Sequence, residues 1–171
     1  MVLPDLIVEE LGRQHDRSSF SCGVEELDRY IQEQASQDVR KSASTTFVLI
    51  REGSPKIMGY YTLSASGARL VDFPEPIAKK LPRYPLVPAI LLGRLAVDKS
   101  HSGEGCGRKL IVDGMRRCLK IHDIGWAVLL VEAKDEKAAT YYEKFGFSRF
   151  PKDKRRLYIP RKTISQLGLD L

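Results

Sequence analysis

The sequence predicts a mixed α/β fold in one domain over residues 1–171. Two near-continuous apolar runs, residues 89–97 and 126–132, are typical of strands that are buried on both faces. Between them, apolar residues recur at intervals of three and four, which predicts an amphipathic helix over residues 105–120. Strand and helix patterns alternate in this way along the chain, and its length fits a single domain.

The first half of the chain carries a short strand, a helix and a hairpin. Residues 6–11 are apolar with interspersed acids and predict a strand. A helix follows, indicated by the spacing of its apolar positions Leu27, Tyr30, Ile31 and Ala35. The β-branched segment 45–51 and the apolar run 57–66 flank a turn that contains Gly and Pro, which predicts two antiparallel strands.

A proline-rich stretch over residues 72–88 opens the second half. It predicts a long surface loop with one short helical candidate, 77–81, because proline disfavours helix interiors and central strands. Beyond the two buried strands and the helix between them, a short helix is expected over 136–145. Closing strands are expected over 147–150 and 157–159.

The charge balance favours a polyanionic partner. Lys and Arg number 28 against 22 Asp and Glu, a net charge of +6, although a solvated basic surface has the same composition. Three cysteines without CxxC spacing indicate reduced thiols in the cytoplasm, and the three scattered histidines predict no metal site. No apolar run approaches the roughly 20 residues that cross a bilayer, so no membrane partner is expected.

Glycines alternate where the strand 89–97 gives way to the helix, at Gly103, Gly105 and Gly107. Glycine permits positive φ and lets a bulky anion approach the backbone. The first N–H groups of a helix have no partner within it, and the helix dipole favours negative charge there. The turn therefore predicts an anion site to which Arg108 adds charge, with a tight connection as the alternative. It has neither the GK[ST] of a Walker loop nor the GxGxxG spacing of a dinucleotide site.

RLAVD, the glycine turn and the amphipathic helix resemble motif A of the GNAT superfamily of N-acetyltransferases, and AKDEKAATYYEKFGF resembles motif B. The segments HDRSSFSCGVEELDRYIQEQASQD and YYTLSA extend the resemblance almost end to end, toward the GNAT toxins of toxin–antitoxin pairs. The resemblance implies a GNAT fold, with a mixed, mostly antiparallel central sheet flanked by helices. It also implies a splayed parallel strand pair at an acetyl-CoA site.

The same resemblance implies a function. The chain is expected to be an acetyl-CoA-dependent N-acetyltransferase that acetylates the amino group of aminoacyl-tRNA as a translation-blocking toxin. A small ribbon–helix–helix antitoxin and a homodimer are the implied partners. The alternatives are a protein or small-molecule N-acetyltransferase of the same fold, and a catalytically weak module that binds acetyl-CoA or the antitoxin.

Site residues follow from the matched motifs. Backbone groups of Leu95, Ala96 and Val97 would pair with the pantetheine arm. Tyr142 would donate a proton to the departing thiolate, with Tyr141 on another helix face in the core. The pyrophosphate would bind the turn formed by Ser102, Gly103, Glu104, Gly105, Cys106, Gly107 and Arg108. Ser102 stands where the family has Arg or Gln, so acetyl-CoA binding is expected to be weaker and to depend on backbone N–H groups.

Basic residues are the candidates for contact with the acceptor. Arg94 is unusual in a buried strand, and it either reaches the acceptor cleft or pairs with an acid. Phe150 and Tyr158 interleave with a late basic cluster, a pattern that fits a phosphate backbone with an unstacked nucleotide and equally a solubilising hairpin. The members of that cluster assigned to the acceptor are Lys154, Arg155 and Arg156.

No general base is evident, although Glu132 and Asp135 are candidates by chain position. Cys106 falls at the N-terminus of a helix, a place that favours a thiolate. A two-step transfer through this cysteine is therefore a further alternative.

Overall fold

The computed structural model describes residues 5–169 of the chain. It contains two compact units. The first comprises the residues up to Ser64 together with Arg94–Gly114, and the second comprises Ala65–Gly93 and the residues from Met115 onward.

Strands in the order β1-β2-β3-β4 build the first unit. β1 (Leu6–Glu10) pairs antiparallel with β2 (Thr45–Arg51), and β2 pairs antiparallel with β3 (Gly59–Arg69). β4 spans Leu86–Val97. Residues on one face of these strands form an apolar core with the helical segment that follows β1; its members include Val48, Ile50, Tyr60 and Ala96.

The helical segment of the first unit is interrupted in the middle. α1 (Glu25–Arg29) leads through a π-helical turn (Tyr30–Gln34) into α2 (Ala35–Arg40). The predicted helix is confirmed, but the π turn adds a residue to the repeat and was not evident from apolar spacing. Tyr30 and Ile31 are both buried at the start of this turn and supply much of the apolar contact with the sheet.

In the second unit the strand order is β3-β4-β5-β7-β6. β5 (Val128–Glu132) pairs parallel with β4 and antiparallel with β7 (Asp153–Pro160), which pairs with β6 (Ser148–Phe150). The parallel register ends at Leu92 opposite Val131, whereas β4 itself continues to Val97. The last residues of β4 therefore have no partner in β5, as expected for a splayed strand pair.

Four more helices complete the described residues. α3 (Glu75–Ala78) follows β3, and α4 (Cys106–Leu119) follows β4. α5 (Glu136–Glu143) follows β5. Its N-cap residue is Asp135, whose carboxylate accepts the Ala138 N–H at 2.8 Å. α6 (Arg161–Ser165) follows β7.

Several element boundaries differ from those predicted. β4 begins at Leu86 and so includes Pro88, which the proline rule had placed in a loop; this residue uses only its carbonyl oxygen, which accepts the Ala127 N–H at 2.9 Å. α3 starts two residues earlier than predicted because Pro76 fits the first helical turn. β3 lies further along the chain than predicted, β7 is longer, and α6 was not predicted.

The seven strands of the described residues are mostly antiparallel, with one parallel pair, β4 and β5. Helices lie between them along the chain. This architecture confirms the predicted mixed α/β fold with a mostly antiparallel central sheet.

Candidate functional site

The glycine turn joins β4 to α4 within the first unit. It opens with a single 3₁₀ turn (Lys99–His101), after which Gly103 and Gly105 both adopt a φ of +79°. Residues other than glycine rarely adopt this left-handed backbone conformation. No heavy atom lies within 4 Å of the place where a Cβ would stand at either position. The two glycines therefore leave open space over the backbone just before the first N–H groups of α4, where an anion can approach.

Asp98 fixes the start of this turn. Its carboxylate accepts the Ser100 N–H at 2.9 Å and the Ser100 hydroxyl at 2.6 Å, and its other oxygen accepts the Ser21 N–H at 3.0 Å. Burial raises the pKa of Asp98, but these hydrogen bonds outweigh burial and hold the pKa below its ordinary value. This role was not predicted from the sequence, although Asp with Ser two residues later at a strand end is a signal for such a turn.

The charged residues of the turn, Glu104 and Arg108, differ in whether they have a partner. His101 Nδ1 and Glu104 Oε2 are 2.7 Å apart, so the acid within the turn is paired with its own neighbour. Ser102 is exposed in an extended conformation, and Arg108 is exposed at the start of α4. Among the described residues Arg108 makes no ion pair, so its guanidinium is free to meet a phosphate.

Cys106 does not have the environment of a nucleophile. The residue is 2% exposed, and burial, with a smaller effect of Glu104, raises the pKa of its thiol. The expectation that the helix N-terminus favours a thiolate here is wrong because loss of hydration outweighs the helix dipole. The cysteine-based alternative loses its support.

The end of β4 presents two different faces. Ala96 is buried in the core of the first unit, whereas Leu95 and Val97 on the other face are only half-buried. Gly59 packs closely against this segment, since a Cβ there would stand 2.9 Å from the Ala96 carbonyl oxygen. Apolar side chains and strand backbone are thus available at the three positions predicted to meet pantetheine.

Arg94 stacks on an aromatic ring. Its guanidinium carbon lies 3.7 Å from the ring centroid of Tyr30, and its backbone N–H donates to Thr62 Oγ1 at 3.1 Å. Of the two expectations for Arg94, pairing with an acid is not observed among the described residues. The charge of Arg94 nevertheless contributes, after hydrogen bonds from Gln34 and Tyr30, to a pKa of Asp38 below its ordinary value.

Tyr142 belongs to the second unit and lies on α5. It is 7% exposed, and burial, followed by the neighbouring Tyr141, raises the pKa of its phenol to about 12. The ring makes an edge contact with Phe147 at a centroid distance of 5.7 Å. Tyr141 is the less buried of the two, contrary to expectation, and contacts Phe145 instead. A phenol with this pKa keeps its proton at neutral pH.

The late basic cluster divides between surface and structural residues. Lys154 and Arg155 are exposed at the start of β7. Arg156 is half-buried: its guanidinium lies 3.9 Å from the Asp72 carboxylate and 4.8 Å from the centroid of the Phe150 ring.

The expected stacking of a nucleotide on Phe150 or Tyr158 is wrong. Both residues are 2% exposed, and both pack on Phe73 with ring centroids 4.9 Å apart. The interleaved bases in the sequence did not reveal this burial, because it arises from packing on Phe73, which is distant in the chain.

Two remaining expectations concern metals and membranes. The described residues hold no group of three or more His, Cys, Asp or Glu side chains suited to a metal ion. Over the same residues, no helix is both long and apolar enough to span a bilayer.

Comparison with known proteins identifies the family to which the chain belongs. Residues 43–149 match the acetyltransferase (GNAT) domain model, a range that includes the glycine turn and Tyr142. The tRNA-acetylating toxin of Mycobacterium tuberculosis is 34% identical over 153 residues, which cover 89% of this chain and 90% of that protein.

Solved structures agree with this match. AtaT complexed with acetyl-methionyl-tRNAfMet has a TM-score of 0.87 at 31% identity, covering 95% of this chain and 99% of that one. A tyrosine-to-phenylalanine mutant of the AtaT toxin, bound to the C-terminus of the antitoxin AtaR and to acetyl-CoA, has a TM-score of 0.81 at 28% identity. That likeness covers 97% of this chain and 99% of the mutant. With a family model that matches more than half of its length, the chain belongs to the GNAT family of acetyltransferases and is an N-acetyltransferase that uses acetyl-CoA.

Proposed function

We propose that this enzyme transfers the acetyl group of acetyl-CoA to the α-amino group of aminoacyl-tRNA and so blocks translation as a toxin. The observation that carries the proposal is the glycine turn at the start of α4, with its two left-handed glycines and open space above them. The choice of acceptor is supported by the name of the M. tuberculosis relative and by the tRNA bound to AtaT.

The residues around the turn fit a diphosphate. Backbone N–H groups of Gly103, Gly105, Cys106 and Gly107 and the guanidinium of Arg108 would hold it, and the dipole of α4 adds to the attraction. The N–H groups of Ser102 and Glu104 already donate to the carbonyl oxygens of Lys99 and His101. The Glu104 carboxylate, which would repel a diphosphate, is engaged by His101 Nδ1 at 2.7 Å. Leu95, Ala96 and Val97 would offer strand backbone to the pantetheine arm, beyond the point where β5 stops pairing with β4.

Tyr142 would act on the departing sulfur. The transfer exchanges one amine N–H for an N–acetyl bond and leaves CoA as a thiol, so one proton passes overall from nitrogen to sulfur. A phenol of pKa about 12 is a weaker acid than an ordinary thiol, whose pKa is about 8.5. The phenol therefore stabilises the developing thiolate by donating a hydrogen bond, and the proton released by the amine completes the balance.

No general base is needed in this scheme. An α-amino group has a pKa of about 7.7, and an adjacent ester lowers it further, so much of it is neutral near pH 7. Asp135 is unsuited to such a role because its carboxylate caps α5. Positioning of the two reactants then supplies much of the rate.

We assign contact with the acceptor to Arg94, Lys154 and Arg155. These cations are free of carboxylate partners within the described residues, whereas the guanidinium of Arg156 lies 3.9 Å from the Asp72 carboxylate. Phosphate contacts of this kind position a nucleic acid without reading its sequence.

The remaining proposals concern partners and setting. We propose a small ribbon–helix–helix antitoxin and a homodimer, on the resemblance of the chain to GNAT toxins and on the antitoxin bound to AtaT. We also propose that residues 1–171 fold as one domain and act in the cytoplasm, where charged tRNA is found.

Transfer of labelled acetyl groups tests the function. Labelled acetyl-CoA and enzyme are incubated with charged tRNA, with the same tRNA uncharged, and with a panel of free amines and proteins. Label on charged tRNA alone is expected. Label on proteins or small amines alone would favour the alternative acceptors, and calorimetric binding of acetyl-CoA without any product would leave only a binding module.

A further inference from the structure

A groove lies at the amino end of β5, whereas the helix that carries Tyr142 follows the carboxyl end of that strand. The groove is lined by residues of the second unit, and none of the predicted site residues is among them. Its volume is about 1030 Å³. This is the upper end of the usual range for small-molecule sites, roughly 300–1,000 Å³, and it is also sufficient for a polypeptide segment.

The floor of the groove is apolar. Trp126 and Leu81 are 6% and 8% exposed, and they line it together with Leu119 and Ile164. Ile124, two residues before the tryptophan, is 72% exposed. The floor is thus a narrow apolar strip at the base of the groove, and the exposed Ile124 follows the helix residue Leu119 in the connection that leads to Trp126.

The polar lining is basic. Lys80, His122, Arg161 and Lys162 contribute to it, and no carboxylate does. Arg161 donates to the Ile121 carbonyl oxygen at 3.0 Å, and its guanidinium lies 4.7 Å from the centroid of Trp126. Within residues 5–169, none of these cationic groups pairs with a carboxylate, whereas the adjacent Lys79 lies 3.5 Å from Glu75.

We infer that this groove binds an acidic, apolar segment of a partner protein. Apolar side chains of the segment cover the Trp126 floor, and its carboxylates meet Lys80, Arg161 and Lys162. Charge complementarity and the floor together select this occupant, because a phosphate backbone would satisfy the cations but leave the apolar surface in water. The inference does not depend on the proposed function, since no step of acetyl transfer uses the groove.

Fluorescence gives a direct test on the full chain. Trp126 is the single tryptophan of the sequence, so intrinsic emission reports on this groove alone. The probe is a short synthetic peptide of Glu and Leu, titrated into the protein. A saturable change in emission is expected, with affinity that falls as salt is raised.

Matched variants separate groove binding from general attraction to a basic protein. The double variant Lys80→Gln/Lys162→Gln removes two exposed, unpaired cations and is expected to weaken binding about tenfold. The double variant Lys144→Gln/Lys152→Gln removes the same charge outside the groove and should bind like the parent. Melting temperatures establish that both variants fold.

Three results would overturn the inference. One is equal binding of a Lys–Leu peptide, and another is unchanged affinity in the Lys80→Gln/Lys162→Gln variant. The third is an emission shift with uncharged tRNA or phosphatidylglycerol vesicles when the acidic peptide gives none. Because the readout is emission, failure of acetyl transfer to tRNA would leave this result unaffected.

Discussion

The guanidinium carbon of Arg94 lies 3.7 Å from the ring centroid of Tyr30, whose hydroxyl donates to the Asp38 carboxylate at 2.8 Å. The same ring stacks on Tyr60 with centroids 6.3 Å apart. A cation on β4 is therefore held by a buried aromatic pair, and much of the rotamer entropy of an arginine, about 2 kcal/mol, is lost before any ligand binds.

Arg94→Ala is expected to raise the KM for charged tRNA about tenfold, the equivalent of about 1.4 kcal/mol. The reason is the loss of an ordered cation at the acceptor. The Kd for acetyl-CoA should not change, because the side chain faces the α1–α2 core rather than the glycine turn. Steady-state kinetics and calorimetry measure the two quantities. Tyr30→Phe keeps the ring under Arg94 and is the control: it should lower stability by about 1 kcal/mol with KM unaltered. An unchanged KM in Arg94→Ala would show that Arg94 does not contact the acceptor.

Gly105→Ala tests the glycine turn. A residue with a Cβ pays about 1–2 kcal/mol for the left-handed conformation, although no atom lies within 4 Å of that Cβ. The turn is expected to relax, and acetyl-CoA affinity should fall about tenfold or more by calorimetry. Gly125→Ala is the matched control, because it also meets open space but without a left-handed φ. Equal acetyl-CoA affinity in the two variants would show that the turn does not bind the pyrophosphate.

Tyr142→Phe is expected to retain acetyl-CoA binding and to lose kcat by about 10²-fold or more, the usual effect of removing one hydrogen-bond donor placed at developing negative charge. The ring contact with Phe147 survives the change, so folding should be preserved. Tyr141→Phe removes the neighbouring hydroxyl and should leave kcat close to the parent value. Full turnover in Tyr142→Phe would remove the assignment.

Alkaline unfolding reports on the same phenol. Burial raises the folded pKa of Tyr142 to about 12, while an unfolded tyrosine ionises near pH 10. Between about pH 10 and 12 the unfolded state thus binds fewer protons, and stability falls as pH rises, by up to about 3 kcal/mol from this residue. Denaturant titrations across this range should show a flatter decline for Tyr142→Phe than for the parent. Tyr84→Phe, at a position 68% exposed, should decline like the parent; a parallel decline in all three proteins would contradict the prediction.

Asp98→Ala removes the acceptor for the Ser100 and Ser21 N–H groups. Leaving such donors unpaired near the start of the turn is expected to cost about 1–3 kcal/mol of unfolding free energy and to weaken acetyl-CoA binding. Denaturant unfolding and calorimetry measure both effects. Asp123→Ala, an exposed carboxylate in the α4–β5 connection, is the control and should be neutral. If Asp98→Ala were as stable as Asp123→Ala, the hydrogen bonds of Asp98 would not hold the turn.

The sequence was most informative where a single local cause acts. Alternating glycines between a buried strand and an amphipathic helix predicted a tight turn with an anion site, and the φ values of +79° at Gly103 and Gly105 explain why glycines stand there. The strand 45–51 was predicted to the residue because β-branched and apolar side chains favour it locally. Motif spacing carried the family assignment, which the match over residues 43–149 confirms.

Tertiary contacts decided the environment of each candidate side chain. The sequence could not show that Cys106 is dehydrated, that Phe150 and Tyr158 are buried, or which of Tyr141 and Tyr142 lies deeper. Nor could it show that Arg94 rests on Tyr30, 64 positions earlier in the chain. Burial, pKa and stacking depend on neighbours that are distant in sequence, whereas periodicity reports only on residues within a few turns. The chain by itself therefore determined most of the elements, the glycine turn and the family. Only the fold determined which of its ionisable groups keep their protons and which cations remain free to bind a partner.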